Sequence, residues 1–141
     1  MVSSKARKRV PFEFVLDALA EGLSDATPLR TNPMFGCLAV YVGPKIVLIL
    51  RDRPTARLDN GVWLATKAEH HAGLRHHFPS MRSVGIFGKK ITDWQVLPAD
   101  SPDFETAALR AVEFILAGDP RIGKIPKEKS ARAKRRKKTR G

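Results

Sequence analysis

Four histidines fall within eight residues of this chain, as two adjacent pairs, His70-His71 and His76-His77. Imidazole is a common metal ligand. A helix presents two of them to one ion when they lie three or four residues apart. The separations available here are 1, 5, 6 and 7. His70 and His77 share a helical face but stand about 10 Å apart along the axis, at about 1.5 Å of rise per residue. One metal ion cannot take both, so no metal site and no cofactor is expected, and the histidines read as the polar margin of a helix.

Other chemistry-bearing residues are weaker still. Cys37, the one cysteine, lies within an apolar run, where a thiol stays protonated and no base is assigned to it. "GIFGKK", Gly85 to Lys90, has two residues between its glycines. A phosphate-binding loop needs four there, a Ser or Thr after the lysine, and a helix next. Asp100, Asp103 and Glu105 cluster at the start of a helix, where the helix dipole favours negative charge. No catalytic group emerges. Arg51, Arg53 and Arg57, on a strand end and polar loop, with Lys89 and Trp94, mark the place where a pocket in the body is expected.

The strongest signal is charge. The chain has 141 residues and a net charge of +12, but its ends carry the excess. Lys5, Arg7, Lys8 and Arg9 precede the body, and Lys129, Arg132, Lys134, Arg135, Arg136, Lys137, Lys138 and Arg140 close the chain. Between Val10 and Gly123 acids and bases nearly cancel. Runs of this kind attract polyphosphates by releasing condensed counterions, an attraction that falls steeply with salt. The runs contain no aromatic residue, so they offer no stacking platform for bases. Nucleic acid, or another acidic partner, is therefore expected at the tails, with little discrimination between sequences. A single cysteine rules out an internal disulfide, and no apolar run is long enough to span a bilayer. These features lead to the expectation of a cytoplasmic chain without membrane insertion.

The elements between the basic ends follow from hydrophobic periodicity. Phe12, Val15, Leu16, Leu19 and Leu23 recur at helical spacing, with Pro11 in the first turn. "MFGCLAVYV" and "IVLILRD", separated by Gly43-Pro44-Lys45, predict a hairpin, and Gly36 within its first strand predicts a bulge or a close backbone approach. Both strands are apolar on both sides, so each needs cover on two faces, from helices or from a second copy of the chain in a homodimer. "VWLAT" predicts a third strand, residues 67–78 a short helix, and "SVGIFG" with "TDWQVLP" a second hairpin. Trp63 and Trp94 fall in these strands. Ser101 is expected to cap a last helix with Pro102 at its first position, a stripe of Phe104, Ala108, Ala111, Val112 and Ile115, and Gly118 to end it. The order is α-β-β-β-α-β-β-α. It predicts an α+β domain with three helices and a five-stranded, mostly antiparallel sheet. The expected organisation is a disordered basic leader over residues 1–9, one domain over 10–118, and a basic, disordered tail over 119–141.

Met34-Phe35-Gly36, followed by Tyr41-Val42-Gly43 and a hydrophobic strand ending in Arg51-Asp52, resembles the amino-terminal domain of the TfoX competence regulators. Asp93 to Pro98, followed by a terminal helix, is similar to that domain's closing strand and helix. The resemblance covers residues 32–117. It implies an α+β domain of the secretion-chaperone-like kind, with no catalytic residues to carry over. The competence regulators have a second, helical domain where this chain has a charged tail. MmcQ/YjbR-like domains, of similar size and element order and suspected of binding DNA, are the second resemblance. The function expected is a non-enzymatic interaction or regulatory module held near nucleic acid by its tails. The alternative is a small-ligand binder or enzyme that uses the body.

Overall fold

The computed structural model describes residues 10–87 and 93–125. The basic leader, Lys89 and Lys90, and the lysines and arginines beyond Ile125 lie outside the described residues.

Among the described residues, three helices and six strands make an α+β fold. Helix α1 spans Glu13–Gly22, and strands β1, β2 and β3 span Leu29–Met34, Cys37–Val42 and Lys45–Arg51. After β4, Gly61–Leu64, come helix α2, His71–His77, strand β5, Arg82–Ser83, strand β6, Gln95–Pro98, and helix α3, Phe104–Leu116. The sheet runs β1-β2-β3-β4-β6-β5, and all its pairings are antiparallel.

The sixth strand corrects the expected five. "LRTNPM" is polar along most of its length and contains Pro33, so it lacks the alternation that marks a half-buried strand. As the outermost strand it needs neither: its residues are exposed except at its two ends, and an edge position tolerates proline. The expected bulge at Gly36 is instead the turn between β1 and β2. Met34 faces Cys37 across it, and both central residues have positive φ, 51° at Phe35 and 78° at Gly36. Two left-handed residues in a two-residue loop match the right-handed twist of the flanking strands. The bulge lies in β3. Pairing slips between Val40 and Tyr41, so that Val47 and Leu48 both pack on the helix side.

That side of the sheet carries the main core. Leu48, Leu50, Val62, Leu64 and Leu97 from the strands meet Val15 and Leu19 of α1 and Ala107, Ala108, Ala111, Val112 and Ile115 of α3. Each buried Leu, Val or Ile contributes about 1.5–3 kcal/mol by leaving water. Alanines along α3 let it lie close to its neighbours, and the Phe12 and Phe104 rings meet edge to face 5.0 Å apart. Ser101 does not hold the N-cap position of α3. Asp103 does, and the Ser101 and Ser80 hydroxyls donate to its carboxylate. These bonds, Ser101's foremost, hold the Asp103 carboxyl below its ordinary range. At the other end of α3, Gly118 takes φ 74°. Its amide bonds the Ile115 carbonyl and the Asp119 amide bonds that of Phe114, the paired closure that a left-handed glycine permits.

The second face of the sheet has its own cluster: Ala39, Ile46, Ile49, Trp63, Ala65, Val84 and Val96, flanked by Met34, Cys37, Tyr41 and Trp94. Val84 and Trp94, outside the strands, contribute to this face, and Lys124 lies over Trp94. The "GIFG" segment is a 3-10 turn over Gly85–Phe87 rather than a strand, and only Arg82 and Ser83 pair with β6. Residues 67–78 divide into a 3-10 turn, Ala68–His70, and α2.

The body does not stop at residue 118. Ile122 is buried in the main core, the Gly123 amide donates to the Ala65 carbonyl, and Lys124 pairs with Ile46 beyond the end of β4. Residues 119–125, expected to belong to the tail, are built into the sheet's margin.

Candidate functional site

Of the five residues expected around a pocket, Arg51, Arg53, Arg57 and Trp94 are described, and of these four only Trp94 lines the hollow found on the sheet. Arg51 is buried at the end of β3. Its guanidinium donates to the Ala56 carbonyl at 3.0 Å, the Thr55 carbonyl at 3.0 Å and the Asn60 side-chain oxygen at 2.7 Å. Its donors fix the loop from Asp52 to Asn60, so Arg51 is a structural residue there. Asn60 adds bonds to the amide and the carbonyl of Arg53. Arg53 and Arg57 are exposed on that loop, and Lys89 lies outside the described residues. Trp94 lines a concavity.

That concavity is an open hollow of about 650 Å³ on the second face of the sheet. It takes Lys45 and Ile46 from the start of β3, whereas Arg51 stands at the other end of that strand, about 20 Å away at roughly 3.3 Å per residue. Met34 and Tyr41, Thr66, Lys67, Glu69 and His70, and Trp94 with Pro120, Arg121 and Gly123–Ile125 complete its lining.

Its aromatic groups are held in place. The Trp94 ring leans on Trp63, centroids 6.2 Å apart, and the Trp63 indole N–H donates to the Asp59 carbonyl at 2.8 Å. Lys124 reaches over Trp94, its ammonium 5.6 Å from the ring centre, and pairs with the Asp93 carboxylate at 3.3 Å. The Arg30 guanidinium lies 4.3 Å from the centre of the Tyr41 ring. Cations over aromatic faces are attracted by the ring quadrupole.

Its cations differ in how far they are committed. Arg121 grips Asp119 through two nitrogens, at 3.0 and 2.7 Å, and holds that carboxyl down at about 2. Lys45 and Lys67 have no acidic partner among the described residues, and Glu69 lies 3.5 Å from His70. Thr66 is 1% exposed, lines the hollow, and its hydroxyl has no hydrogen-bond partner among the described residues. A buried hydroxyl in that state costs free energy that a bound acceptor or donor would recover.

The other candidates resolve into structural roles. The amides of Gly85 and Ile86, which a phosphate loop would offer to an anion, both donate to the Asp59 carboxylate at 2.8 Å. The histidines separate: His70 lines the hollow, His71 is buried with its Nε2 3.2 Å from the Asp93 carbonyl, and His76 and His77 are exposed. His77 meets the edge of Phe114. Among the described residues no group of His, Cys, Asp and Glu is placed to hold a metal ion. Burial pushes the Cys37 thiol up, against the opposing pull of Arg51 and Arg53. Asp100 lies 3.9 Å from Arg82. Among the described residues no helix is long and apolar enough to cross a membrane.

Sequence reasoning missed Tyr41, Lys45, Thr66, Lys67, Arg121 and Lys124 as one site, because they come from separate segments. Lys124 carried a signal only as part of the tail's charge, and His70 only as part of the histidine cluster. Compared with known proteins, the chain matches no family model, no curated protein and no solved structure.

Proposed function

We propose that this protein is a non-enzymatic interaction module that associates with nucleic acid, its cationic ends supplying attraction and its body a surface that adds contacts. The observation that carries this reading is where the chain goes. Ile125, the last described residue, lines the hollow together with Lys45, Lys67 and Lys124, and ten of the chain's lysines and arginines stand from Lys124 onward. The cationic run therefore starts from the same face that presents the lysines of the body. A polyanion held where the run begins lies beside that face. The resemblance to the TfoX amino-terminal domain, and a regulatory role with it, belongs to this proposal. So does the absence of catalysis.

The test is a salt titration of binding to DNA and RNA, by fluorescence anisotropy. It compares the full chain with a full-length variant carrying Lys134→Gln, Arg135→Gln, Arg136→Gln, Lys137→Gln and Lys138→Gln. Each phosphate that the variant no longer neutralises should reduce the slope of log affinity against log salt by roughly 0.7–0.9. An unchanged slope and affinity at low salt would remove the reading.

The hollow itself favours a second reading, a binder of small acidic ligands. Its volume of about 650 Å³ falls within the range of about 300–1,000 Å³ typical of ligand pockets. That reading needs no contribution from the tail, and the variant above would then bind as the full chain does.

A further inference from the structure

We propose that the hollow takes an unpaired nucleotide, so that the protein prefers single-stranded nucleic acid over duplex. The proposal rests on the nucleic-acid reading above and adds which form of the polymer the body selects.

The basic ends cannot make that distinction. They carry no aromatic residue, and phosphates are available on single strands and duplexes alike. A duplex hides the faces of its bases in the stack, whereas a single strand offers them to aromatic side chains. The hollow supplies what the ends lack. Trp94 and Tyr41 both line it, each already beside a cation, Lys124 and Arg30. Lys45 and Lys67, without acidic partners among the described residues, stand on the rim as phosphate contacts. Thr66 brings a buried hydroxyl with no partner among the described residues. A base edge carries both donors and acceptors, and either would satisfy that hydroxyl. Aromatic surface, uncommitted cations and an unsatisfied hydroxyl on one concavity match a base face, a phosphate and a base edge. Thr66 is buried within the hollow, so a base that reaches its hydroxyl must leave the stack of a duplex.

The experiment measures anisotropy of a labelled oligonucleotide, single-stranded and as duplex of the same sequence, at one low salt concentration with the full chain. Single strand should bind more tightly. Trp94→Leu should weaken single-strand binding by about 5- to 100-fold, the value of one base stacked on an aromatic ring, and leave duplex binding within about twofold. Trp94 also packs on Trp63, so two gentler changes accompany it. Thr66→Val, of equal size, should weaken single-strand binding by about fivefold, one neutral hydrogen bond. Lys67→Ala, at an exposed residue, should weaken single-strand more than duplex binding. Adenosine monophosphate added in excess should displace the single strand and spare the duplex. If it binds without a strand being able to compete, the hollow is a site for free nucleotides, which overturns the strand preference. If the full chain binds both forms equally, or Thr66→Val and Lys67→Ala change both equally, this inference fails while the tail-driven reading stands. If the full chain binds neither form at low salt, the nucleic-acid reading falls and takes the inference with it.

Discussion

Ile46 and Lys124 exchange backbone hydrogen bonds in both directions, the Ile46 amide donating to the Lys124 carbonyl at 2.8 Å and the Lys124 amide to the Ile46 carbonyl at 2.9 Å. This exchange continues the sheet past the point where β4 ends, and it fixes one wall of the hollow. Two residues earlier, Ile122 drops into the main core. Ile122→Ala should therefore cost about 2–4 kcal/mol, from lost transfer free energy and the space left behind. Urea unfolding monitored by tryptophan fluorescence measures this, and a loss below about 0.5 kcal/mol would mean that the segment does not pin to the body.

Asp59 braces the hollow indirectly, because Trp94 leans on the Trp63 ring that it holds. Its carboxylate accepts the amides of Gly85 and Ile86, which anchors the turn that leads toward Trp94, while its carbonyl holds the Trp63 indole. Asp59→Ala should destabilise the fold by about 1–3 kcal/mol, because two amides lose a charged acceptor and only water can replace it. The amides of Gly85 and Ile86 should also exchange with solvent hydrogen faster than in the parent. Unchanged protection at both would assign the cost to something other than these bonds.

The fold was legible where side chains alternate or recur. Val, Ile and Leu in β2 and β3 announced strands, the apolar stripe from Ala108 to Ile115 announced α3, and Gly118 announced its end. The edge strand was not legible, because an edge position selects for polar residues and tolerates Pro33, which erases the pattern. Ile122 was hidden for a different reason: one apolar residue between Pro120, Gly123 and several charges has no period to betray it. The hollow was the least legible part. Tyr41, Lys45, Thr66, Trp94 and Lys124 meet only because β3, β4 and β6 are neighbours, and because residues 123–124 dock beside Ile46. Spacing within the chain does not encode such a meeting. Arg51 is not available to the hollow, since a buried guanidinium spends its donors on nearby acceptors, here those of its own loop.

The turn between β1 and β2 carries a local conflict. Phe35 is 92% exposed and holds φ 51°, a backbone region unfavourable for a bulky side chain. Asparagine tolerates that region, and Asn-Gly is the favoured pair for such a turn. Phe35→Asn should raise stability by about 0.5–1 kcal/mol, read as a higher urea midpoint with the slope unchanged. A lower midpoint would show that the ring makes contacts worth more than the strain it brings.

Asp119 gives the stability a dependence on pH. Its hydrogen bonds to Arg121 lower its carboxyl from the ordinary 3.8 to about 2. The folded state therefore holds the charged form more strongly than the unfolded state does. The resulting stabilisation is complete above about pH 4, shrinks as pH falls, and is gone below about 2. Both side chains are partly exposed, 20% for Asp119 and 29% for Arg121, and solvent screening limits the contribution to about 1 kcal/mol. Asp119→Asn should thus cost about 1 kcal/mol at neutral pH, and the gap to the parent should close between about pH 4 and pH 2. Added salt should narrow the gap at neutral pH as well. A gap that stays constant across this range would trace the effect to the shape of the turn after α3, because only the ionised carboxylate loses its advantage on protonation.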